Sequence, residues 1–275
     1  MPFTLSHAAA ALPFRRMRLV PSALVVGTFA PDIEYFIRMR PGGGYGHTIS
    51  GAFLLSLPLG LITLWLFHRF IERPAVLLMP PGLERRVVPF TCESMGEFRF
   101  FPWRRFLLIC ASVLIGIATH IAWDSFTHHH GWVYHHWMFL RRPIHLPMGR
   151  TSYVYLFLQA FSSVAGLAIL LIWFIGWYRS HLPQPGQPSR PLSAAARWGI
   201  IALLVAVGLA GGYVRARFTF HRHSVSTLAI DALVTFFAVL WWELAAWGAV
   251  LRWRGRKSIR TSAAVEERAC DPARR

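Results

Sequence analysis

Five long apolar stretches restrict what this chain can fold into more than any other feature of its sequence. Each holds about 20 residues, the length that an α-helix needs to cross the hydrocarbon core of a bilayer. The stretches lie at 48–70, 104–124, 153–176, 197–214 and 228–251. Lipid offers the backbone no hydrogen bonds, so apolar segments of this length cross it as helices. The sequence therefore predicts an all-α fold, a polytopic transmembrane helical bundle with about five spans.

The composition agrees with a membrane protein and argues against a nucleic-acid-binding one. Charged residues make up 15% of the chain, against about 25% in a typical soluble domain. A formal net charge of +17 would indicate nucleic-acid binding in a soluble protein. Here the basic residues are scattered between apolar runs, so we expect membrane lipid, and no nucleic acid, as their partner. The three cysteines are not spaced as pairs, so no disulfide framework is expected.

Two shorter apolar pieces, at about 5–14 and 20–30, precede the first span. Neither is long enough to cross alone, so the sequence predicts two short interfacial or re-entrant helices. The opening MPFTLSH lacks the basic segment of a signal peptide, and we expect it to be retained. We expect residues 1–251 to form a single integral-membrane domain with its site in the half 1–150, and 252–275 to form a basic, disordered tail.

The basic residues predict which way the chain crosses the membrane. Five spans leave two sets of loops, and the set formed by 1–47, 125–152 and 215–227 carries 11 of the 29 Lys and Arg residues. The other set, with the span ends that adjoin it, carries 18. The positive-inside rule then puts the second set and the C-terminus in the cytoplasm. We therefore expect a multi-pass protein of the cell (inner) membrane.

The histidines are concentrated on the opposite side from most of the positive charge. Ten of the 13 fall in the first set of loops: His7, His47, His128, His129, His130, His135, His136, His145, His221 and His223. Loops of similar total length should share histidines about evenly. Their enrichment indicates a function on the extracytoplasmic side.

The strongest local signal is THIAWDSFTHHH, at residues 119–130. His120, Asp124 and His128 are four residues apart, so they share one face of a helix at the end of the second span. Ionisable groups near bilayer depth are costly and usually functional. A divalent metal explains them, since neutral imidazole and carboxylate are its ligands. The alternative is a buried His–Asp pair that stabilises helix packing.

Three upstream residues lie at the same interface. His7 is in the first short helix, Asp32 follows the second, and His47 opens the first span. All three are candidates to join His120 and Asp124 in one metal site. Helix capping and interfacial hydrogen bonding are the alternatives, and an Asp that follows a proline is a natural turn residue.

Several other polar residues and a pair of glycines are also candidates for a role in the site or in helix packing. Glu34, two residues after Asp32, is the candidate general base, although it is also placed to act as a ligand. The loop histidines at 128–130 and 135–136 fit either a metal-rich loop or a wet interfacial loop. Gly208 and Gly212, four residues apart, favour a close approach of two helices.

Four sequence segments carry a resemblance to known proteins: MPFTLSHAAAALP, SALVVGTFAPDIEYF, GHTISG and THIAWDSFTHHHGW. They resemble a family of uncharacterised bacterial multi-pass membrane proteins, known only as a domain of unknown function, over most of residues 1–176. The same motifs are similar to those of membrane-bound metal-dependent hydrolases of the inner membrane. This resemblance implies a membrane-embedded hydrolase that acts on a lipid or lipid-linked ester, and the alternative is a non-catalytic metal-binding or transport protein.

A more distant resemblance implies the ligand set. The order His, Asp, His, HxxxD is similar to that of zinc-dependent phospholipase C, which cleaves phosphodiesters. It implies a divalent metal, zinc by preference, with these ligands: His7, Asp32, His47, His120 and Asp124, and His128 as a sixth. The phospholipase pattern continues with a further His and an HxxxE, and no HxxxE follows Asp124 in this chain. One or two ions are therefore expected rather than three.

Overall fold

The structure is a computed structural model, and it describes residues 4–39, 44–91, 97–129, 131–145, 151–183, 192–219 and 225–269. It contains five helices that are long and apolar enough to cross a membrane, by length and composition. Each of the five predicted stretches lies within one of them or overlaps it closely. The prediction of an all-α polytopic helical protein is confirmed.

The N-terminal part consists of short helices that precede the first span. In chain order they are a 3₁₀ helix Thr4–Arg16, α1 Pro21–Gly27, a 3₁₀ turn Ala30–Asp32, α2 Ile33–Arg38 and a 3₁₀ turn Tyr45–His47. Proline begins α1, where its missing N–H costs no hydrogen bond. The first 3₁₀ helix and α1 correspond to the two short helices predicted at about 5–14 and 20–30.

The rest of the chain is built mainly from five long helices. In order, the elements are α3 Ile49–Leu78, α4 Pro81–Val87, a 3₁₀ turn Val88–Phe90, α5 Trp103–Thr127, α6 Trp132–His136, a 3₁₀ turn Met138–Arg141, strands β1 Pro143–His145 and β2 Thr151–Tyr153, α7 Val154–Ser180, α8 Ala194–Thr219 and α9 Val225–Ala269. Two π-helical segments interrupt α3, at Ala52–Ser56 and Phe67–Ile71. The strands form one small antiparallel hairpin in which Ile144 pairs with Ser152.

The chain divides into two compact units, and both take part of α3. The first unit holds Met1–Trp65 and Arg99–Pro183, and the second holds Leu66–Phe98 and Gln184–Arg275. This division is finer than the single domain expected over 1–251. It arises because α3 is long enough to pack in one unit through its first half and in the other through its second.

In the first unit, small residues let the N-terminal elements pack closely against the long helices. A Cβ at Gly116 of α5 would overlap the backbone of Leu24 and Gly27 in α1. A Cβ at Gly166 of α7 would overlap Ser6 of the 3₁₀ helix. These contacts place α1 and the 3₁₀ helix directly on two apolar spans.

The second unit is held together by α8, α9 and the end of α3. Gly208 and Gly212 lie against Phe236 and Ala232 of α9, so α8 and α9 pack closely at the two predicted glycines. Helix α9 continues to Ala269. That helix includes much of the segment 252–275, and the expectation that this segment forms a disordered tail stays a prediction.

Candidate metal centre

Five ionisable side chains from four separate segments meet at one end of the first unit. His7 comes from the 3₁₀ helix, Asp32 from the turn after α1, His47 from the turn before α3, and His120 and Asp124 from the last two turns of α5. His120 has no exposed surface, and the side chain of His47, the most open of the five, is 9% exposed. The structure thus brings together the five residues predicted as metal ligands.

The facing nitrogen and oxygen atoms are a few ångströms apart. Nε2 of His7 lies 3.4 Å from Oδ1 of Asp124, and Nε2 of His120 lies 3.3 Å from Oδ2 of the same carboxylate. Nε2 of His47 lies 3.4 Å from Oδ1 of Asp32 and 3.5 Å from Oδ2 of Asp124. Nε2 of His120 is also 3.6 Å from Oδ1 of Asp32. Ligands at about 2 Å from a shared zinc ion have this kind of spacing.

The atoms form two groups that could each hold an ion. His7, His120 and Asp124 make one group, and Asp32, His47 and His120 make the other, with ligand atoms within 4.8 Å of one another in each. Both groups use the same His120 ring. Since one nitrogen lone pair binds one ion, a second ion would take its ligands from the other four residues.

A backbone carbonyl orients the shared ring. Nδ1 of His120 lies 2.7 Å from the carbonyl oxygen of Thr28, so Nδ1 donates and Nε2 carries the lone pair in the neutral ring. The contact is possible because Gly27 and Gly116 let α1 approach α5 one turn below His120. A histidine that donates its second N–H to a carbonyl in this way is typical of metal sites.

Asp32 does not act as the helix cap that its position after a proline allows. Its side chain makes no capping hydrogen bond at the start of α2. Instead, the Thr4 hydroxyl donates to Oδ2 at 2.7 Å, which leaves Oδ1 facing His47 and His120. The capping alternative for Asp32 is therefore not what the structure contains.

The GHTISG segment positions His47 at the beginning of α3. The Thr48 hydroxyl accepts from the Gly51 N–H at 3.0 Å and caps the helix. The buried Ser56 hydroxyl donates to the Gly46 carbonyl at 3.0 Å. A Cβ at Gly46 would crowd the carbonyl of Pro31, so glycine lets the turn that carries His47 lie beside the turn that carries Asp32.

The arrangement fits a cation better than a set of satisfied hydrogen bonds. Among the residues that the structure describes, four of the converging atoms are buried and have no hydrogen-bond partner: Nε2 of His7, Oδ1 of Asp32, Nε2 of His120 and Oδ1 of Asp124. A buried polar atom without a partner costs about 1–3 kcal/mol. Divalent ions bound by the two groups would satisfy all four atoms, since nitrogen and carboxylate oxygen are zinc ligands.

The electrostatics of the three candidate ligands outside the spans differ. Burial, helped by the adjacent His120 ring, lowers the pKa of His7 to about 4. Burial also acts to lower the pKa of His47, but contacts with Asp124 and Asp32 outweigh it and raise that pKa to about 9. Burial acts to raise the pKa of the Asp32 carboxyl, and His47 and His120 outweigh it and hold it below its usual range. At neutral pH His7 is therefore uncharged, as a metal ligand would have to be, whereas His47 would first have to release a proton.

His128, predicted as a sixth ligand from its helical spacing, lies at the edge of the cluster. Helix α5 ends at Thr127, and His128 has an extended backbone. Its Nδ1 lies 3.5 Å from Oδ2 of Asp124 and 3.3 Å from the Asp124 carbonyl, while its Nε2 is 3.4 Å from the Gln159 amide. Neither group of converging ligand atoms includes it. The geometry fits a residue that orients Asp124.

Glu34, predicted as a general base, has a partner of its own. Its Oε1 lies 2.5 Å from the Arg38 guanidinium, one turn further along α2. The two groups of ligand atoms do not include it. Its role as a base stays a prediction.

The family of the chain follows from a comparison with known protein families. The profile of the family described as "Domain of unknown function (DUF4184)" matches residues 1–251. The chain belongs to this family. No curated protein and no solved structure matches it.

The match to the DUF4184 family covers more of the chain than the resemblance seen in the sequence motifs. The motifs indicated similarity over most of 1–176, whereas the family match continues through α8 and into α9 as far as residue 251. The resemblance to an uncharacterised membrane family is confirmed. The resemblance to hydrolases stays a prediction.

The other histidines that the structure describes do not join the cluster. His136 is exposed, stacks on Trp132 and lies 2.8 Å from its carbonyl. His130, His221 and His223 lie outside the described residues.

The sequence contains an HxxxE motif that the prediction of metal ligands did not include. HxxxE occurs between His47 and His120 in the sequence, at His68 and Glu72 in α3, where the two side chains are 3.2 Å apart and His68 stacks on Phe98. These residues belong to the second unit.

Proposed function

We propose that this chain is a membrane-embedded, metal-dependent hydrolase that holds one or two divalent ions, zinc by preference. His7, Asp32, His47, His120 and Asp124 are the proposed ligands. The observation that carries the proposal is the convergence of these five side chains with buried, unpartnered nitrogen and oxygen atoms. A purely structural role would leave these atoms unsatisfied at a considerable cost.

The proposed substrate is a lipid or lipid-linked ester, a phosphoester by preference, on the extracytoplasmic side. Two observations support it. The cluster combines residues at the start of α3 and near the end of α5, both of which are candidate spans, so it belongs near headgroup depth. His47, its most open member, is next to Tyr45 and Ile49, which are exposed apolar residues suited to contact with lipid.

The proposed chemistry divides between the ion and the protein. A bound divalent ion supplies Lewis acidity and lowers the pKa of coordinated water towards neutrality. The Thr28 carbonyl and the Thr4 hydroxyl keep His120 and Asp32 in the orientation that ligation requires. The burial of the cluster excludes bulk water and strengthens the electrostatic interactions within it.

Metal analysis of the purified protein tests the first part of the proposal. We expect about one or two equivalents of zinc in the wild type, and loss of at least one of them in His120→Ala and Asp124→Ala. His136→Ala is the matched control, because His136 is an exposed histidine outside the cluster. Wild-type protein that neither carries zinc nor binds added zinc would refute the proposal.

Hydrolysis is tested separately from binding. The metal-loaded wild type and Asp124→Ala would be compared on phosphodiester substrates and on phospholipids with different headgroups. Turnover by the wild type that disappears in Asp124→Ala and in metal-free protein is the expected result. Stoichiometric metal without turnover on any of these substrates would favour the non-catalytic metal-binding alternative.

A further inference from the structure

Residues 4–28 leave the metal centre and return to it. At the start of this segment, Thr4 donates to Asp32 and the His7 ring stacks on His120 at a centroid distance of 4.0 Å. At its end, the Thr28 carbonyl accepts from His120. Both ends therefore lie at the level of His120.

Between these ends the segment reaches far along α5. The Val20 N–H donates to the Ser112 hydroxyl at 3.0 Å. Ser112 is eight residues before His120, which corresponds to about 12 Å along an α-helix. Arg16 follows His7 by nine positions, which corresponds to about 18 Å along a 3₁₀ helix. The turn between the 3₁₀ helix and α1 thus lies deep along the span, far from the metal centre.

The backbone of this segment suits bilayer depth. Non-helical backbone within a membrane needs partners from the protein, and Ser112 supplies one to Val20 while its own hydroxyl donates to the Leu108 carbonyl. The next residue is Pro21, which has no N–H to satisfy. The segment also packs tightly against α5, since Gly27 contacts the backbone of Val113.

The arginines at the turn restrict the depth at which the turn can lie in the membrane. Arg15, Arg16 and Arg18 are exposed, and a charged side chain inside the hydrocarbon layer is costly. The first turn of α5 carries Arg104 and Arg105, which are typical of a membrane interface. That turn begins nine residues before Ser112, about 14 Å away along the helix. Long arginine side chains can cover part of such a distance and keep their guanidinium groups in the headgroup layer.

We propose that residues 4–28 form a re-entrant hairpin that enters the membrane from the side of the metal centre and places Arg15, Arg16 and Arg18 among the lipid phosphates of the opposite leaflet. The hairpin carries His7 and Thr28 at its two ends, so it also builds one wall of the metal centre. The proposal does not depend on a bound ion.

The hairpin changes how many Lys and Arg residues lie on each side of the membrane. That count is what predicts the orientation of the chain. The sequence alone assigns these three arginines to the loops on the side of the metal centre. With them on the opposite side, eight of the 29 Lys and Arg residues remain on that side. The positive-inside bias becomes stronger and still puts the metal centre outside the cytoplasm.

Thiol accessibility tests the position of the turn. In a chain with Cys92, Cys110 and Cys270 replaced by serine, single cysteines would be introduced as Met17→Cys, Tyr45→Cys and Leu182→Cys, whose native side chains are 54%, 46% and 80% exposed. Tyr45 marks the side of the metal centre and Leu182, after the end of α7, marks the other. A membrane-impermeant maleimide would be applied to intact cells and to inside-out vesicles. We expect Met17→Cys to react together with Leu182→Cys and from the side opposite to Tyr45→Cys.

Either of the other two labelling outcomes would contradict the hairpin proposal. Reaction of Met17→Cys from the side of Tyr45→Cys would place the turn at the near interface, and protection from both sides would place it within the hydrocarbon layer. The role of the arginines is tested by adding Arg15→Gln, Arg16→Gln and Arg18→Gln to Met17→Cys. We expect a severalfold slower reaction, whereas Arg141→Gln with Arg142→Gln, a control on two other exposed arginines, should leave the rate unchanged. Equal rates in all three proteins would show that the arginines do not hold the turn among the headgroups.

Discussion

The Thr4 hydroxyl is the smallest group on which the proposed metal centre depends. It donates to Oδ2 of Asp32 at 2.7 Å and so directs Oδ1 towards His47 and His120. Hydrogen bonds of this kind around metal ligands contribute about 10- to 100-fold to metal affinity.

We therefore expect Thr4→Val, which keeps the shape and removes the hydroxyl, to weaken zinc binding by about 10- to 100-fold. Titration of metal-free protein with zinc in the presence of a competing chelator measures the change. Ser180→Ala is the control, because that hydroxyl bonds within its own helix, to the Trp177 carbonyl. Unchanged affinity in Thr4→Val would mean that Asp32 needs no such support or is not a ligand.

We expect His47 to make zinc binding dependent on pH. Its pKa is raised to about 9 in the metal-free protein, by contacts with Asp124 and Asp32 that outweigh burial. A ligand histidine must be neutral, so binding releases this proton throughout the range below pH 9. His7, with a pKa lowered to about 4, is already neutral there and adds no such dependence.

The dissociation constant for zinc should accordingly fall as pH rises from 7 to 9, by about tenfold per pH unit. Isothermal titration calorimetry in buffers with different ionisation enthalpies would measure the affinity and count the proton released. His47→Asn should bind zinc more weakly and with a smaller pH dependence. A flat profile in the wild type would contradict the assignment of His47 as a ligand.

At the scale of elements, the approach of α1 to α5 decides whether the centre forms. A Cβ at Gly116 would overlap backbone atoms of Leu24, Gly27 and Thr28, and backbone atoms cannot move aside as a flexible side chain can. The Thr28 carbonyl, one residue beyond α1, would then be pushed away from His120.

Gly116→Ala should therefore destabilise the protein by about 1–3 kcal/mol and reduce its zinc content. Gly176→Ala is the matched control, since a Cβ there meets nothing within 4 Å, and it should leave both properties unchanged. Thermal unfolding in detergent and metal analysis of the same samples provide the measurements. Full zinc content in Gly116→Ala would show that this close approach is not needed for binding.

For the whole molecule, the metal should stabilise the fold. The centre joins the N-terminal elements to α3 and α5, so an ion bound to it favours the folded chain over the unfolded one. At a free zinc concentration 100 times the dissociation constant, the gain is about 2.7 kcal/mol. Removal of the ion should lower the unfolding temperature and leave four buried polar atoms without partners.

This stabilisation should disappear in Asp124→Ala, whose unfolding temperature we expect to be the same with EDTA and with zinc. His136→Ala, which is outside the cluster, should keep the full difference between the two conditions. Differential scanning fluorimetry in detergent is sufficient to detect it. A wild type that is insensitive to both additives would argue against a structural contribution of the ion.

The spans and the site were predictable to different degrees. The five spans follow from the local density of apolar residues, and their predicted positions match the helices well. The count of basic residues in the loops put the Arg15–Arg18 turn on the side of the metal centre. It could not predict the depth of that turn, because the depth depends on the contact of Val20 with Ser112. Helical spacing placed His128 on the face of His120 and Asp124, but α5 ends one residue earlier, and the side chain turns back towards the Asp124 carbonyl.

The sequence by itself determined that this is a multi-pass helical membrane protein, because the length and apolarity of a helix are local properties of the chain. It also singled out the His and Asp residues, because such groups are expensive beside a bilayer. Only the tertiary structure decided that His7, Asp32, His47, His120 and Asp124 meet. His120 and the Thr28 carbonyl that orients it are 92 residues apart. Contact over such a separation is decided by which helices pack together and how closely, and here glycines at the crossing of α1 and α5 permit it.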